Sequence, residues 1–377
     1  MMRRIVCAAA TLLASGTAAA QGTISTQGFG YPAGGLSTRA ASSGGAFAEF
    51  DFASPRNPSS LLGWGRSGAY FQYDPEFRSL DTPNGSESGT IPRFPLAIAA
   101  VQVGTRGIFA LSYTTFLDRT WSTRVRASQI LGPDTVEYEE HVQSIGSISD
   151  IRLGLGYSLS DAVGLGIGVH GFTGNNQMLL ERVFDDSVTF GRLVRNLTLG
   201  YLGTGVSLGV TWRPDPSLAV ALSARAGGTL DLREGDTLVA TGRVPNRYGA
   251  ALRFDGFPGA SLGFSVERTD WTRMGEISTS GNLVAFDVWE YGLGAELTGP
   301  RVGGVPALIS LGYRTRDLPF SVTGERVPER IFAGGMGIPL AGPRVILDFG
   351  VQRASRGATA GVRERAWIAS FALTIRP

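Results

Sequence analysis

From about residue 61 to its end, the sequence repeats one pattern, in which large apolar residues alternate with small or polar ones over short stretches. In the last stretch, one face carries Trp367, Ala369, Phe371, Leu373 and Ile375, and the other carries Ile368, Ser370, Ala372, Thr374 and Arg376. A period of two with one apolar face is typical of a half-buried β-strand. The pattern therefore predicts an all-β protein.

The connections between these stretches alternate strictly in length. Six are tight: Gly104–Gly107, Leu159–Val163, Trp212–Ser217, Phe254–Gly259, Thr298–Pro306 and Ile338–Arg344. Seven longer polar segments lie near 74–93, 127–136, 173–190, 231–243, 273–283, 315–329 and 353–363. A β-sandwich has no reason to sort its connections by length, whereas an outer-membrane barrel has short periplasmic turns and long extracellular loops. These connections predict a 14-stranded antiparallel outer-membrane β-barrel.

The composition agrees with a barrel wall. Glycine contributes 53 of 377 residues, and because an interior glycine costs a helix about 1 kcal/mol relative to alanine, this content disfavours a helical bundle. Beyond the N-terminus no apolar run approaches the roughly 18–20 residues of a membrane-spanning helix. Charged residues make up only 18%, and every basic residue is arginine.

Residues 1–20 have the pattern of a secretory signal peptide, which predicts export to the bacterial outer membrane. Arg3 and Arg4 precede an apolar stretch, Ile5–Ala14, and three alanines at 18–20 form the cleavage signal. The only cysteine, Cys7, lies within this peptide, so we expect no disulfide and no thiolate metal site in the mature chain. Loss of the two arginines takes the formal net charge from +2 to 0, which gives no reason to expect a nucleic-acid partner.

Two hairpin strands place glycines on their inner face, at Gly154 and Gly156 and at Gly164, Gly166 and Gly168. These glycines either leave room for a segment packed against the wall from inside or permit the curvature of closure. Residues 21–62 would supply such a segment, since they are rich in glycine and too apolar for a free periplasmic tail. Fourteen strands enclose more space than their own side chains fill. We therefore predict that residues 21–62 plug the lumen of a barrel formed by residues 63–377.

The N-terminal segment also carries a family resemblance. Its glycine/alanine-rich run passes through Gly44-Gly45-Ala46-Phe47-Ala48 to Asn57-Pro58-Ser59, where the FadL family of outer-membrane transporters has Asn-Pro-Ala. The segment Leu208–Pro216, the pair Asp270-Trp271 and the segment Leu311–Arg314 resemble later parts of that family in the same order. The sequence is thus similar to FadL-type transporters over nearly its whole length.

The resemblance implies a 14-stranded barrel whose N-terminal hatch blocks the lumen. In that family, long-chain fatty acids or hydrocarbons enter from outside, bind inside the barrel and leave sideways into the membrane. It implies a monomer whose partners are a hydrophobic ligand and membrane lipid, with no cofactor. The hatch residues expected to take part in gating are Gly28, Phe29, Gly44, Gly45, Phe47, Asn57 and Pro58.

Inward-facing charges allow two interpretations. Arg152, Arg225, Glu267 and Asp348 either form a salt-bridge network along the wall or, with the luminal His170, contact a ligand, because arginine can hold a carboxylate in a bidentate manner. The possible ligand contacts are Arg152, His170 and Arg225. Trp121, Trp271 and Trp289 are expected at the membrane interface.

We predict that the protein is not an enzyme. A barrel hydrolase would need His141 or His170 beside a serine such as Ser144 or Ser158, and the sequence does not place such a pair together. Asp185-Asp186 and Glu139-Glu140 are expected to be solvated carboxylates, and no metal site is predicted. Two other functions stay open: a non-transporting barrel that serves a secretion or surface-attachment system, and a general porin, which the plug disfavours.

Overall fold

The structure is a computed structural model, and it describes residues 24–377 except 84, 132–133, 187–188, 278–282, 303, 341–343 and 358–361. The predicted signal peptide and Cys7 lie outside the described residues. Within the described part of the chain, no helix is both long and apolar enough to span a membrane.

Strands dominate the described residues. They are β1 (Gly68–Tyr73), β2 (Glu76–Thr82), β3 (Gly85–Ile91), β4 (Leu96–Val103), β5 (Gly107–Asp118), β6 (Trp121–Leu131), β7 (Asp134–Ser158), β8 (Val163–Phe184), β9 (Leu193–Asp215), β10 (Leu218–Glu234), β11 (Thr237–Arg243), β12 (Arg247–Phe257), β13 (Ala260–Thr269), β14 (Val284–Ala285), β15 (Val288–Val302), β16 (Val305–Asp317), β17 (Phe320–Ser321), β18 (Pro328–Pro339), β19 (Val345–Gly357) and β20 (Arg363–Ile375). The helices are α1 (Thr38–Ser42) and three 3₁₀ helices, Ile24–Thr26, Pro58–Trp64 and Trp271–Ile277.

These segments form a closed antiparallel barrel of fourteen wall strands, as predicted. The pairs β1/β2, β3/β4, β5/β6 and β11/β12 each make one interrupted wall strand, and β14 pairs with β17 outside the wall sheet. The barrel closes where β1 and β2 pair with β20, with Ala69 opposite Ile375 and Glu76 opposite Ile368. All six predicted tight turns fall between consecutive wall strands.

Four of the predicted long polar loops are largely strand instead. Segment 74–93 contains β2 and β3, and segments 127–136, 173–190 and 231–243 continue the β6–β7, β8 and β10–β11 ladders. As a result β7, β8 and β9 contain 25, 22 and 23 residues, whereas β18, β19 and β20 contain 12, 13 and 13. The polar residues of these segments form strand rather than loop because their backbone groups make cross-strand hydrogen bonds above the apolar belt.

The alternation places apolar side chains on the outer surface. Leu153, Leu165, Ile167 and Leu208 are 42–60% exposed, whereas the inward-facing Arg152 is 1% exposed. An apolar exterior around a polar interior is the arrangement of a barrel whose outer face meets lipid. The buried residues of the molecule therefore lie inside the barrel.

Residues 24–64, here called the luminal segment, account for much of this interior. Most of them are buried, including Phe47, Leu61 and Trp64. Ser37 caps α1 by accepting a hydrogen bond from the Ala40 amide at 3.0 Å. The helix ends at Ser42, and the chain turns away at Gly44 and Gly45, which both have a positive φ. Asn57 caps the Pro58–Trp64 helix, and the first strand begins at Gly68 rather than near residue 63.

Candidate functional site

The inward-facing glycines of the wall receive the luminal segment at close range. A Cβ built on Gly166 would lie 2.6 Å from the carbonyl oxygen of Pro58, and one on Gly154 would lie 2.9 Å from Leu61 Cδ1. On the opposite wall a Cβ on Gly292 would lie 2.6 Å from the Gly44 carbonyl oxygen. The first interpretation of these glycines is therefore confirmed, because the segment packs directly on backbone that carries no side chain.

Of the gating residues predicted from the sequence, Gly44, Phe47, Asn57 and Pro58 lie along this contact, whereas Gly28 and Phe29 lie against Phe320. Gly44 fits flush against the backbone of Tyr313, Phe47 rests on Gly263, and Pro58 rests on Gly166. Asn57 Oδ1 accepts hydrogen bonds from the Ser59 amide at 2.9 Å and from the Ser59 hydroxyl at 2.8 Å.

Two ionic clusters hold the luminal segment to the wall. In the first, Arg56 Nη1 contacts Glu267 at 2.6 Å and Glu290 at 2.9 Å, and Arg39 binds both carboxylate oxygens of Glu296 at 2.5 and 2.6 Å. Glu267 therefore belongs to a salt-bridge network, which is the first of the two interpretations proposed for it. The buried arginine–carboxylate pairs fix the position of the segment more than they add stability.

The second cluster surrounds Tyr31 of the luminal segment, a residue that the sequence did not single out. Its hydroxyl donates to Glu329 Oε1 at 2.9 Å. Three guanidinium groups face its ring, with Arg356 4.6 Å and Arg93 and Arg316 each 5.3 Å from the ring centroid. Arg356 is fully buried and also binds Glu329, Glu76 and Glu364. Tyr31 is thus held by cation–π contacts and a charge-assisted hydrogen bond.

The wall is interrupted beside this cluster. The β4–β5 ladder ends at Leu96 and Thr114. Beyond it β3 pairs with β2, and β6 pairs with β7, and no ladder joins β3 to β6 among the described residues. Their facing edges leave a gap in the hydrogen-bonded wall. Unpaired edges of this kind are rare in closed barrels, because closure normally removes them.

The luminal segment closes the gap from inside. Tyr31 and Asp118 exchange two backbone hydrogen bonds of 2.8 Å, the pattern of an antiparallel strand pair. Gly30 lies so close to the Asp118 carbonyl that a side chain there would overlap it. At Asp118, Tyr31 thus takes the place of the missing neighbouring strand.

An aromatic cluster lies in the same half of the lumen. Phe29 packs edge-on against Phe320 at 5.3 Å between ring centroids, Trp271 stacks on Phe116 at 5.4 Å, and Phe172 contacts Phe116 at 5.0 Å. All five rings are buried. The expectation that Trp271 lies at the membrane interface is therefore wrong, because the chain folds it inward onto this cluster. Trp289 is 51% exposed.

A cavity of about 90 Å³ separates the luminal segment from the wall next to this cluster. Phe116, Trp271 and Val288 form its apolar side, and Asp150, His170 and Arg225 lie on its polar side. A larger cavity of about 320 Å³ lies near the β4–β5 and β7–β8 turns, lined by Phe50, Ser59 and Arg106 among others.

Two of the three predicted ligand contacts, His170 and Arg225, line this polar side, and Arg152 lies opposite His170 in the β7–β8 ladder. His170 Nδ1 lies 2.8 Å from Asp150 Oδ1, and Arg225 Nη1 lies 3.6 Å from Asp150 Oδ2. Arg152 Nη1 donates to the Pro55 carbonyl at 2.7 Å. Arg152 Nε and Nη2 and Arg225 Nε are buried without a hydrogen-bond partner. Asp348 lies apart, beside a third cavity lined by Arg39 and Tyr70.

The other histidine and serines that a hydrolase would need do not lie together. His141 Nε2 lies 2.8 Å from the exposed Ser122, while Ser144 binds the Arg119 carbonyl and Ser158 the Ser160 carbonyl. Sequence reasoning missed Ser207, whose hydroxyl lies 2.8 Å from His170 Nε2. No group of three or more potential metal-binding side chains occurs in the described part of the chain.

Comparison with known proteins identifies the fold. No family model matches the sequence, and no curated protein matches it. A Pseudomonas aeruginosa FadL homologue is 13% identical, with 92% of this chain and 99% of that chain covered and a TM-score of 0.60. The Pseudomonas putida toluene transporter TodX is 12% identical (91% and 99% covered, TM-score 0.57). The Ralstonia pickettii toluene transporter TbuX is 15% identical (91% and 98% covered, TM-score 0.56).

These neighbours are described as transport channels rather than enzymes. They match over nearly the full length of both chains, in agreement with the resemblance seen in the sequence. The chain therefore has the fold of the FadL family, a fourteen-stranded barrel.

Proposed function

We propose that the protein is a monomeric outer-membrane transporter that passes hydrophobic small molecules such as long-chain fatty acids or hydrocarbons. The observation that carries this proposal is the gap between β3 and β6, which is closed by the luminal segment at Tyr31 rather than by a neighbouring strand. A gap closed by a separate segment can open without breaking the barrel. The end of the gap next to the β4–β5 ladder is flanked on the outer surface by the exposed Phe94 and Tyr113, so an opening at that end would lead towards lipid.

The transport path begins at the aromatic cluster. The buried rings of Phe29, Phe116 and Trp271 offer an apolar surface, and the adjoining cavity adds a cationic side at Arg225. An apolar molecule gains about 25 cal/mol for each Å² of surface that it buries there. A carboxylate head would in addition satisfy the unpartnered Arg225 Nε. This arrangement supports amphiphiles with an acidic head as well as bare hydrocarbons.

Movement of the luminal segment then frees the exit. Phe29 lies in the aromatic cluster, and Tyr31, two residues later, bridges the gap. A ligand that displaces Phe29 therefore pulls on the same short stretch that carries the bridge. Positive φ at Gly28 and Gly30 allows this stretch to change course without strain from a side chain.

A reversible crosslink tests the gating role of the bridge. Because Tyr31 and Asp118 form a hydrogen-bonded pair, their Cα atoms lie at about 5.5 Å, which is suitable for a disulfide. The variant Tyr31→Cys/Asp118→Cys should take up a labelled long-chain fatty acid or hydrocarbon when reduced and should lose uptake when oxidised. Each single cysteine variant serves as control. Equal uptake in the oxidised and reduced states would exclude this gap as the exit.

The filled lumen favours one second candidate, a barrel that serves a secretion or surface-attachment system. The luminal segment and its ion pairs occupy much of the lumen, and the three cavities described above hold about 90, 320 and 190 Å³. Mass spectrometry of lipid extracted from the purified protein separates the two. A bound fatty acid or hydrocarbon supports the transporter, and an empty lumen combined with unchanged uptake after deletion of residues 24–52 supports the scaffold.

A further inference from the structure

Three inward-facing side chains on neighbouring strands form a linear hydrogen-bonded array. Asp150 on β7 lies 2.8 Å from His170 Nδ1 on β8, and His170 Nε2 lies 2.8 Å from Ser207 Oγ on β9. In the tautomer that satisfies both bonds, Nδ1–H donates to the carboxylate and Nε2 accepts from the hydroxyl. This is the order of nucleophile, base and orienting carboxylate that acyl-transfer catalysis requires.

The strand register fixes this array. His170 pairs with Arg152 on β7 and with Gly205 on β9. Asp150 lies two residues before Arg152, and Ser207 lies two residues after Gly205. The side chains of all three residues are therefore on the same face of the sheet. Ser207, His170 and Asp150 are 2%, 3% and 8% exposed. The array is thus held on regular strands, which position side chains more rigidly than loops do.

Donors without partners lie next to the array. Arg152 Nε and Nη2 and Arg225 Nε are buried and make no hydrogen bond. Gly168 shows how close Arg152 comes to the serine, since a Cβ built there would lie 2.6 Å from Ser207 Oγ and 3.2 Å from Arg152 Cδ. Buried donors cost free energy when they are unsatisfied, and such donors are the groups that stabilise an oxyanion in a dry site.

We propose that Ser207, His170 and Asp150 form an ester-hydrolysing centre, an activity beyond transport, whose substrates are carboxylic esters with a long apolar chain. His170 Nε2 takes the proton of Ser207 as Oγ bonds to the ester carbonyl carbon, and the guanidinium groups face the resulting oxyanion. The proton then passes to the leaving alcohol as its C–O bond breaks. Water repeats the sequence on the acyl-serine, releasing the carboxylic acid and the free serine.

The luminal segment covers this centre in the structure. Pro58 lies on Gly166, Leu61 lies on Gly154, and Pro55 accepts the hydrogen bond of Arg152. The cavity that reaches Asp150 and His170 is lined on its other side by Gly34, Gly35 and Arg56 of the same segment. Reaction therefore requires the segment to withdraw, and the adjacent rings of Phe116 and Phe172 then offer a surface for the apolar chain.

Covalent labelling of the full-length protein in detergent tests the proposal independently of uptake. The probe is a fluorophosphonate with a long alkyl chain, which modifies only activated serines, and the modified peptide is identified by mass spectrometry. It is applied to the wild type and to two variants chosen to loosen the segment, Gly166→Ala and Asn57→Ala. We expect labelling at Ser207 that is faster in the loosened variants and absent after Ser207→Ala.

The partner residues and a matched serine provide the controls. His170→Gln should lower the labelling rate by roughly 10²- to 10⁴-fold, the usual contribution of a general base. Asp150→Asn should shift the pH dependence of labelling, and Asp150→Glu should restore it in part, which a purely structural carboxylate would not do. Ser310→Ala, which removes an equally buried inner-face serine without a histidine partner, should leave labelling unchanged. Absence of Ser207 labelling in the wild type and in both loosened variants, each shown to be folded, would overturn the proposal.

Discussion

A methyl group added at Gly166 should displace the luminal segment, whereas one added at Gly171 of the same strand should not. A Cβ at Gly166 would lie 2.6 Å from the Pro58 carbonyl oxygen and closer still to Pro58 C and Ser59 N, and real Cβ atoms essentially never approach below 3.0 Å. A Cβ at Gly171 meets only the Ile151 carbonyl oxygen, at 3.9 Å. Because both sides of the Gly166 contact are backbone, neither can turn away as a side chain would.

Overpacking of this kind costs about 1–3 kcal/mol. If this cost is relieved by displacement of the luminal segment rather than of the wall strand, the fraction of molecules with an undocked segment should rise roughly 5- to 150-fold, since each 1.4 kcal/mol is a factor of ten. Hydrogen exchange of the amides in residues 38–64 measures this change, with the β19–β20 ladder as internal reference. Equal exchange in Gly166→Ala and Gly171→Ala would refute the direct docking of the segment on wall glycines.

Three further substitutions probe the other contacts of the luminal segment. Tyr31→Phe removes the 2.9 Å hydrogen bond to Glu329 and should weaken docking by about 1.5–3 kcal/mol, seen as faster exchange near Asp118; unaltered exchange would contradict a holding role. Asn57→Ala removes the cap of the Pro58–Trp64 helix and should cost about 0.5–2 kcal/mol by thermal unfolding, while Asn57→Asp should retain most of that stability. Burial raises the pKa of the Glu49 carboxyl above its usual 4.5, partly opposed by Arg247. Docking should therefore be strongest below about pH 4.5 and weaken as the pH rises through the raised pKa. Glu49→Gln should abolish that dependence of exchange, and a Gln variant that keeps it would assign it to another group.

The barrel could be predicted from the sequence because lipid imposes a simple rule on every wall strand. Leu153 and Leu165 must face outward, so Arg152 and Gly166 must face inward, and the alternation is visible residue by residue. The same alternation places several glycines on the inner face. Because they carry no side chain, they indicate that another segment packs against them. The polar ends of β7 and β8 obey no such rule once they rise above the apolar belt, and for that reason the sequence pattern predicts loops there.

The luminal contacts could not be predicted in this way. Tyr31 is held by Arg93, Arg316, Glu329 and Arg356, which are distant in sequence and meet only because the barrel is closed. The pairing of His170 with Ser207 depends on the β8–β9 register, where a shift of one residue would send the serine to the lipid face. Pattern reasoning locates strands only to within about 2–4 residues, so it identified His170 and left its serine partner undetermined.

The unequal lengths of the wall strands give the mouth of this barrel a direction. At about 3.4 Å per residue and a tilt of about 40°, the 25 residues of β7 rise roughly 65 Å, and the 13 residues of β20 rise roughly half as far. Since the turns at the opposite end are short, the whole difference stands on the outer side. The rim is therefore oblique: it is high along β7–β9 and low along β18–β20. A molecule that approaches the mouth from the β18–β20 side therefore meets a lower rim than one that approaches from the β7–β9 side.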